Sequence, residues 1–184
     1  ITYDELGKAL RAIENGKFRI LEKRMLSVGV NGRFTDVLTD VYLERGKSAG
    51  CLRYETRVKS PKYHKSSFSD YAIGNGVIVS SSFGSGGYFS YLDRMMPSKK
   101  SRISATDFAD DRVGICHIIP AYLARKRNHI VSESHKLRYT VPARSTIQIR
   151  LLRDARARLY GTTLQSKGIL IRLGDTITVV SSKR

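Results

Sequence analysis

Residues 2–16 of this 184-residue chain carry a helical repeat, while almost everything after them alternates with a period of two. That contrast confines the chain to a mainly β fold. Thr2-x-x-Glu5 has capping-box spacing, Leu6, Leu10 and Ile13 recur at helical intervals with Ala9 and Ala12 beside them, and Asn15-Gly16 supplies the stop. Beyond it, Phe18 to Val30 reads as a strand, Asn31-Gly32 as a hairpin turn and Phe34 to Leu43 as the returning strand. Val77, Ile78 and Val79 suit a buried strand, and Val113–Ile119 suits another that carries His117. The tail alternates over Thr146–Leu151, Ile169–Ile171 and Thr176–Val180, split by Gly161, Gly168 and Gly174-Asp175. The expectation is layered antiparallel sheets with one short N-terminal helix, organised as a single unit over 1–184: a leading helix in 1–16 and a β-rich body in 17–184.

With 41% hydrophobic residues the chain can bury one sizeable core, and it has no run of 18 apolar residues to span a membrane. It opens on Ile rather than Met, without the basic and apolar regions of a signal peptide, so a fragment of a longer protein is one expectation. Cys51 and Cys116 lack a C-x-x-C spacing and lie in apolar surroundings, which points to reduced thiols and a cytoplasmic setting. Thirty-three Lys and Arg against sixteen Asp and Glu leave a formal charge of +17. Such a chain attracts anions, phosphate-bearing ones above all.

The stretch most suggestive of chemistry is Gly74–Tyr91, where an apolar run empties into Gly84-Ser85-Gly86-Gly87. Glycines there can adopt positive φ and offer bare N–H groups and a hydroxyl to an anion or a sugar. A Gly/Ser cluster after a strand is by itself more often an ordinary turn, and the loop matches neither G-x-x-x-x-G-K-[ST] nor G-x-G-x-x-G. Elsewhere, His64 falls in a polar loop over 60–70, and Asp107, Asp110 and Asp111 read as a solvated turn. The basic segment with Arg125, Lys126, Arg127, His129 and His135 reads as a solvated face, a phosphate-binding edge or an RNA patch.

Taken together, these stretches resemble the all-β, C-terminal domain of NAD kinases. Asn75-Gly76 and Ser81-Ser82-Phe83-Gly84-Ser85-Gly86-Gly87-Tyr88 are similar to the family's D-G-x-I-V-x-T-P-T-G-S-T-A-Y, with Gly84, Ser85 and Tyr88 identical in the octet. Gly16–Leu26 resembles G-x-[FY]-x-[IV]-x-x-R-x-x-L, and Val37–Gly46 resembles A-L-N-[DE]-x-x-I-x-R-G, with Thr39 in place of the Asn and Asp40 keeping the acid. The tail is similar to the family's ending, although Tyr160-Gly161-Thr162 stands where Asp-Gly is usual.

The resemblance implies a dinucleotide site built from Thr39, Asp40, Asn75, Gly84, Ser85, Gly86, Gly87 and Tyr88, taking NAD or NADP. It also implies the dinucleotide-binding half of a kinase that phosphorylates the adenosine ribose 2′-hydroxyl of NAD, with ATP and Mg expected only together with a catalytic domain, and a homo-oligomer. The family's G-G-D-G motif, whose Asp is the expected base, does not occur in this sequence. Catalysis by this chain alone is therefore not expected. The alternative is a non-catalytic, strongly basic diverged domain that binds a nucleotide, RNA or another polyanion; neither reading involves a membrane.

Overall fold

A computed structural model of the chain describes residues 3–47, 49–61, 67–95, 109–161, 164 and 167–182, with the side chains of residues 4 and 94 left out. His64, Asp107 and Thr162 lie outside the described residues.

The helical repeat forms α1 (Tyr3–Glu14), and Asn15 closes it by donating its side-chain amide to Arg11 O at 2.7 Å. Strands follow: β1 (Leu26–Val30), β2 (Arg33–Val37), β3 (Asp40–Arg45), β4 (Leu52–Lys59), β5 (Phe68–Gly74) and β6 (Gly76–Ser80). A 3-10 turn (Tyr88–Ser90) runs into the short helix α2 (Tyr91–Met95). The second half holds β7 (Arg112–Ile118), β8 (Tyr122–Arg127), β9 (Ile130–Glu133), β10 (Arg138–Pro142), β11 (Thr146–Leu151), β12 (Ala157–Gly161), β13 (Ile169–Ile171) and β14 (Ile177–Ser181).

These strands make two antiparallel sheets. The larger has the order β2-β1-β14-β11-β4-β5-β8-β9 and the smaller β10-β7-β6-β3-β12-β13. Alternation places Leu52, Tyr54 and Val58 of the larger sheet, and Val41, Leu43, Val77 and Val79 of the smaller, in one shared apolar cluster between them. A second cluster lies on the other side of the smaller sheet, where Phe89 and Leu92 cover Ile78, Cys116 and Ile118. Strand β6 is thereby buried along its whole length.

Local chemistry explains where the sheets turn. Asn31 and Gly32 both take positive φ, as a two-residue hairpin requires, and join β1 to β2. Gly76, at φ 150°, lets the chain leave β5 in the larger sheet and enter β6 in the smaller; a Cβ there would lie 1.9 Å from Leu43 O.

Three sequence expectations are corrected. The strand expected from Phe18 begins only at Leu26: Phe18, Ile20 and Leu21 are exposed and outside both ladders. The strand expected from Phe34 to Leu43 is two, because at Leu38-Thr39 the chain passes from the larger to the smaller sheet. Helical structure is not confined to the N-terminus, since Tyr88–Met95 also coils, held by Tyr91 Oη donating to His117 O at 2.8 Å and by Arg138 on Asp93 at 2.5 Å.

Candidate functional site

The register of the smaller sheet decides which side chains share its outer face. On β3 the inward residues are Val41 and Leu43, so Asp40, Tyr42 and Glu44 point outward in a row, with Tyr160 of β12 directly opposite Tyr42. The segment Ser81–Ser90 folds over one end of that row. Thr39, where β2 gives way to β3, is the hinge on which both pieces meet.

The loop is tied down by its own polar groups. Ser81 N–H donates to Thr39 O at 2.8 Å, and the Ser81 hydroxyl donates to Leu38 O at 2.8 Å. Gly84 N–H donates back to Ser81, Gly87 N–H to Gly84 O at 3.0 Å, and the Ser90 hydroxyl to Gly87 O at 2.8 Å. The Ser82 hydroxyl donates to Asp110, which also pairs with Lys23 at 3.0 Å, so Asp110 is not merely a solvated turn residue.

The glycines serve space rather than unusual backbone: Gly84, Gly86 and Gly87 are not among the positive-φ residues, contrary to the sequence expectation. A Cβ on Gly84 would stand 2.5 Å from Thr39 O, one on Gly87 would stand 3.9 Å from the Asp40 carboxylate, and one on Gly86 would meet nothing within 4 Å. Gly86 therefore borders open space. With the N–H groups of Gly84 and Gly87 spent inside the loop, a ligand here meets mainly side chains.

Those side chains are a carboxylate and a set of phenol rings. Burial pushes the Asp40 carboxyl above its usual range, although the Thr39 hydroxyl donates to it at 3.1 Å and opposes the shift. Tyr88 packs edge-on against Tyr42 with centroids 5.1 Å apart, and Tyr42 stacks on Tyr160 at 5.3 Å. Tyr88 Oη donates to Glu44 at 3.0 Å; burial first, and then that carboxylate, push the phenol pKa up. The result is a shelf with an acceptor at one end, rings along it and the exposed Gly86-Gly87 turn beside it.

The structure thus brings together Thr39, Asp40, Gly84 and Gly87, with Tyr88 reaching along the same face, while Ser85 and Gly86 stand in the loop between. It does not bring Asn75 to them. Asn75 lies beyond the far end of β6, paired with Arg45 and Ile118, roughly 17 Å along the strand from Ser80 at the rise of an antiparallel strand. Three lining residues were missed: Tyr42 and Glu44, which the i, i+2 spacing from Asp40 signals, and Tyr160, which only strand register reveals. Among the described residues no three His, Cys, Asp or Glu gather as a metal cage.

A second polar centre lies deep between the sheets. Asp70 accepts from Arg125 at 2.7 and 2.8 Å and from Tyr139 Oη at 2.6 Å, and His117 Nε2 stands 3.2 Å from it. His117 Nδ1 lies 2.9 Å from Tyr54 Oη, which in turn donates to Gly76 O at 2.5 Å. Burial alone would raise the Asp70 pKa, but these donors outweigh it and hold the carboxyl at about 2. Arg125, in the basic segment read as a solvated face, a phosphate-binding edge or an RNA patch, is instead an internal counter-ion lying 4.0 Å from the Phe68 ring centroid.

No protein-family model and no curated protein sequence matches the chain. Solved structures do. Yeast NADH kinase complexed with NADH superposes over 100% of this chain and 47% of its own, with a TM-score of 0.66 at 17% identity. An NAD kinase from Archaeoglobus fulgidus in complex with ATP superposes over 96% of this chain and 57% of its own, with a TM-score of 0.59 at 16% identity. The chain spans about half the length of these kinases, and over that half its fold is that of the NAD kinase C-terminal domain.

Proposed function

We propose that the shelf on the smaller sheet binds a nicotinamide dinucleotide, NAD(H) or NADP(H). On this reading the chain is the dinucleotide-binding half of an NAD kinase-like phosphotransferase. The observation that carries the reading is Asp40: a half-buried carboxylate with a raised pKa, beside an exposed glycine turn and a cluster of three tyrosine rings, Tyr42, Tyr88 and Tyr160. A desolvated carboxylate is a strong acceptor for ribose hydroxyls, and phenol rings give a nucleobase a flat apolar partner. Likeness in fold to a kinase solved with NADH and to another solved with ATP supports the ligand class.

Phosphorylation of the adenosine ribose 2′-hydroxyl also needs a base for that hydroxyl and cations on the donor's phosphates. The sequence has no G-G-D-G to supply the base. ATP and Mg²⁺ therefore belong to the reading only together with an α/β catalytic unit, as does assembly into a homo-oligomer. Among the described residues no helix is long and apolar enough to cross a membrane, and a cytoplasmic setting is part of the proposal.

Thermal unfolding with NADH or NADP tests it. At about 100 times Kd a ligand bound to the native state alone adds about 2.7 kcal/mol, which for a chain of this size is a rise in Tm of roughly 5 °C or more. Gly86→Val fills open space, so it is expected to unfold at the parent temperature while losing the shift. No shift with either dinucleotide, or an undiminished shift in Gly86→Val, overturns the proposal.

A further inference from the structure

The outer face of the larger sheet lies on the opposite side of the molecule from the shelf and carries a different pattern. Strand β4 alternates so that Arg53, Glu55, Arg57 and Lys59 face outward while Leu52, Tyr54, Thr56 and Val58 face the core. Register then builds rows across the neighbouring strands. Arg53, Ile73 and Tyr122 form one row. Arg150, Glu55, Tyr71, Ala124 and Glu133 form the next. Gln148, Arg57, Ser69, Lys126 and Val131 form a third, and Thr146 with Lys59 begins a fourth. Rows are about 6.8 Å apart and strands about 4.8 Å.

Five cations thus stand on one face against two acids, Glu55 and Glu133, among the described residues of these strands. Glu55 is 1% exposed beneath Arg57 and Arg150, at 3.2 and 2.5 Å. It fixes those two guanidinium groups in place and presents little negative charge outward. Within the same patch lie two phenol rings, Tyr71 half-buried and Tyr122 47% exposed. A general surface bias from the +17 charge of the chain explains scattered cations. It does not explain cations at phosphate-like spacing around rings on a sheet face.

We propose that this outer face of the larger sheet is a platform for single-stranded RNA. Its Arg and Lys side chains would track the phosphates, and Tyr71 and Tyr122 would stack unpaired bases. A duplex hides the base faces that the rings need. The hydroxyl and amide of Thr146 and Gln148, which flank the cations on β11, suit a ribose 2′-hydroxyl that both donates and accepts. The proposal is independent of the dinucleotide shelf.

Fluorescence anisotropy of a labelled 12-nucleotide oligo(U), titrated with the chain between 50 and 200 mM KCl, tests it. For three to four neutralised phosphates the log–log salt slope should be about −2 to −3. Arg53→Ser with Lys126→Ser should flatten that slope by about 1.4 and weaken binding at least tenfold. Tyr122→Ala should weaken it about fivefold or more with the slope unchanged, since it removes stacking and no charge. All variants should keep the parent Tm and the response of the parent to NADH, which separates failure here from failure at the shelf. The proposal is overturned if oligo(U) does not bind at 50 mM KCl, or if either set of variants binds like the parent. It is equally overturned if oligo(dT), inorganic polyphosphate or vesicles containing phosphatidylserine bind as tightly, with no dependence on Tyr122.

Discussion

Two aspartates, Asp70 and Asp40, end up in opposite conditions within the same sandwich. Asp70 is fully buried and surrounded by donors: a guanidinium on both oxygens, a phenol and an imidazole, which together hold its pKa at about 2. Asp40 sits at the rim of the smaller sheet, where burial raises its pKa and the Thr39 hydroxyl answers it. A carboxylate provided with donors by its own fold is a structural part, because a ligand could offer it nothing further. A carboxylate that the fold desolvates but serves lightly gains most from a donor brought by something else. The first is therefore a structural group, and the second is the acceptor of the proposed site.

The largest test removes the structural member. Asp70→Asn leaves Arg125 as a buried cation without its partner, which costs on the order of 3–5 kcal/mol. Urea or thermal unfolding should report it as a fall in Tm of roughly 10 °C. Next in size is pH. Because folding lowers the Asp70 pKa from 3.8 to about 2, its stabilisation is complete above about pH 4 and disappears as pH falls through 2. That loss is about 2–3 kcal/mol, read as the difference between parent and Asp70→Asn in urea midpoints across that window. A parallel pH profile for the two proteins would show that Asp70 is not served as described.

Smaller effects belong to the shelf. Gly84→Ala drives a methyl against Thr39 O and should cost about 1–3 kcal/mol in urea unfolding. The smallest expected change in stability is at Asp40. Since folding raises its pKa, the charged form is disfavoured in the native state, and Asp40→Asn at pH 7 should leave Tm unchanged or slightly higher, within about 0.5 kcal/mol. The same variant should lose the Tm response to NADH or NADP. If Asp40→Asn destabilises as strongly as Asp70→Asn, the contrast between the two aspartates fails.

Much of the sandwich was legible because alternation is a local signal. Thr146–Leu151 forms β11 with the boundaries that its side-chain pattern sets, and Asn31-Gly32 turns where its conformational preference dictates. The passage from β2 to β3 was not legible: Leu38-Thr39 contains neither glycine nor proline, and alternation runs through it although the chain changes sheets there. The helical cover at Tyr88–Met95 was missed because its apolar members, Phe89 and Leu92, answer a surface made by β6 and β7 rather than any pattern of their own.

The site divides along the same line. The meeting of Asp40 with the glycine loop could be anticipated from motif residues, whereas the Tyr42–Tyr160 stack beside them in the proposed site exists only once β3 and β12 are paired. Asn75 stands apart from the loop for the reverse reason. It is near the loop in sequence, but a rigid strand stands between them.

The larger sheet also sets the order in which the molecule can assemble. Its second strand, β1, is held by β14, with Leu26 facing Ser181 and Val30 facing Ile177. Contacts so distant along the chain are slow to form, because the loop they close is long. During synthesis β1 and β2 precede β14 by well over a hundred residues, yet they cannot join the rest of their sheet until β14 has emerged from the ribosome. Until then their hairpin is an incomplete edge with an apolar side, open to mispairing.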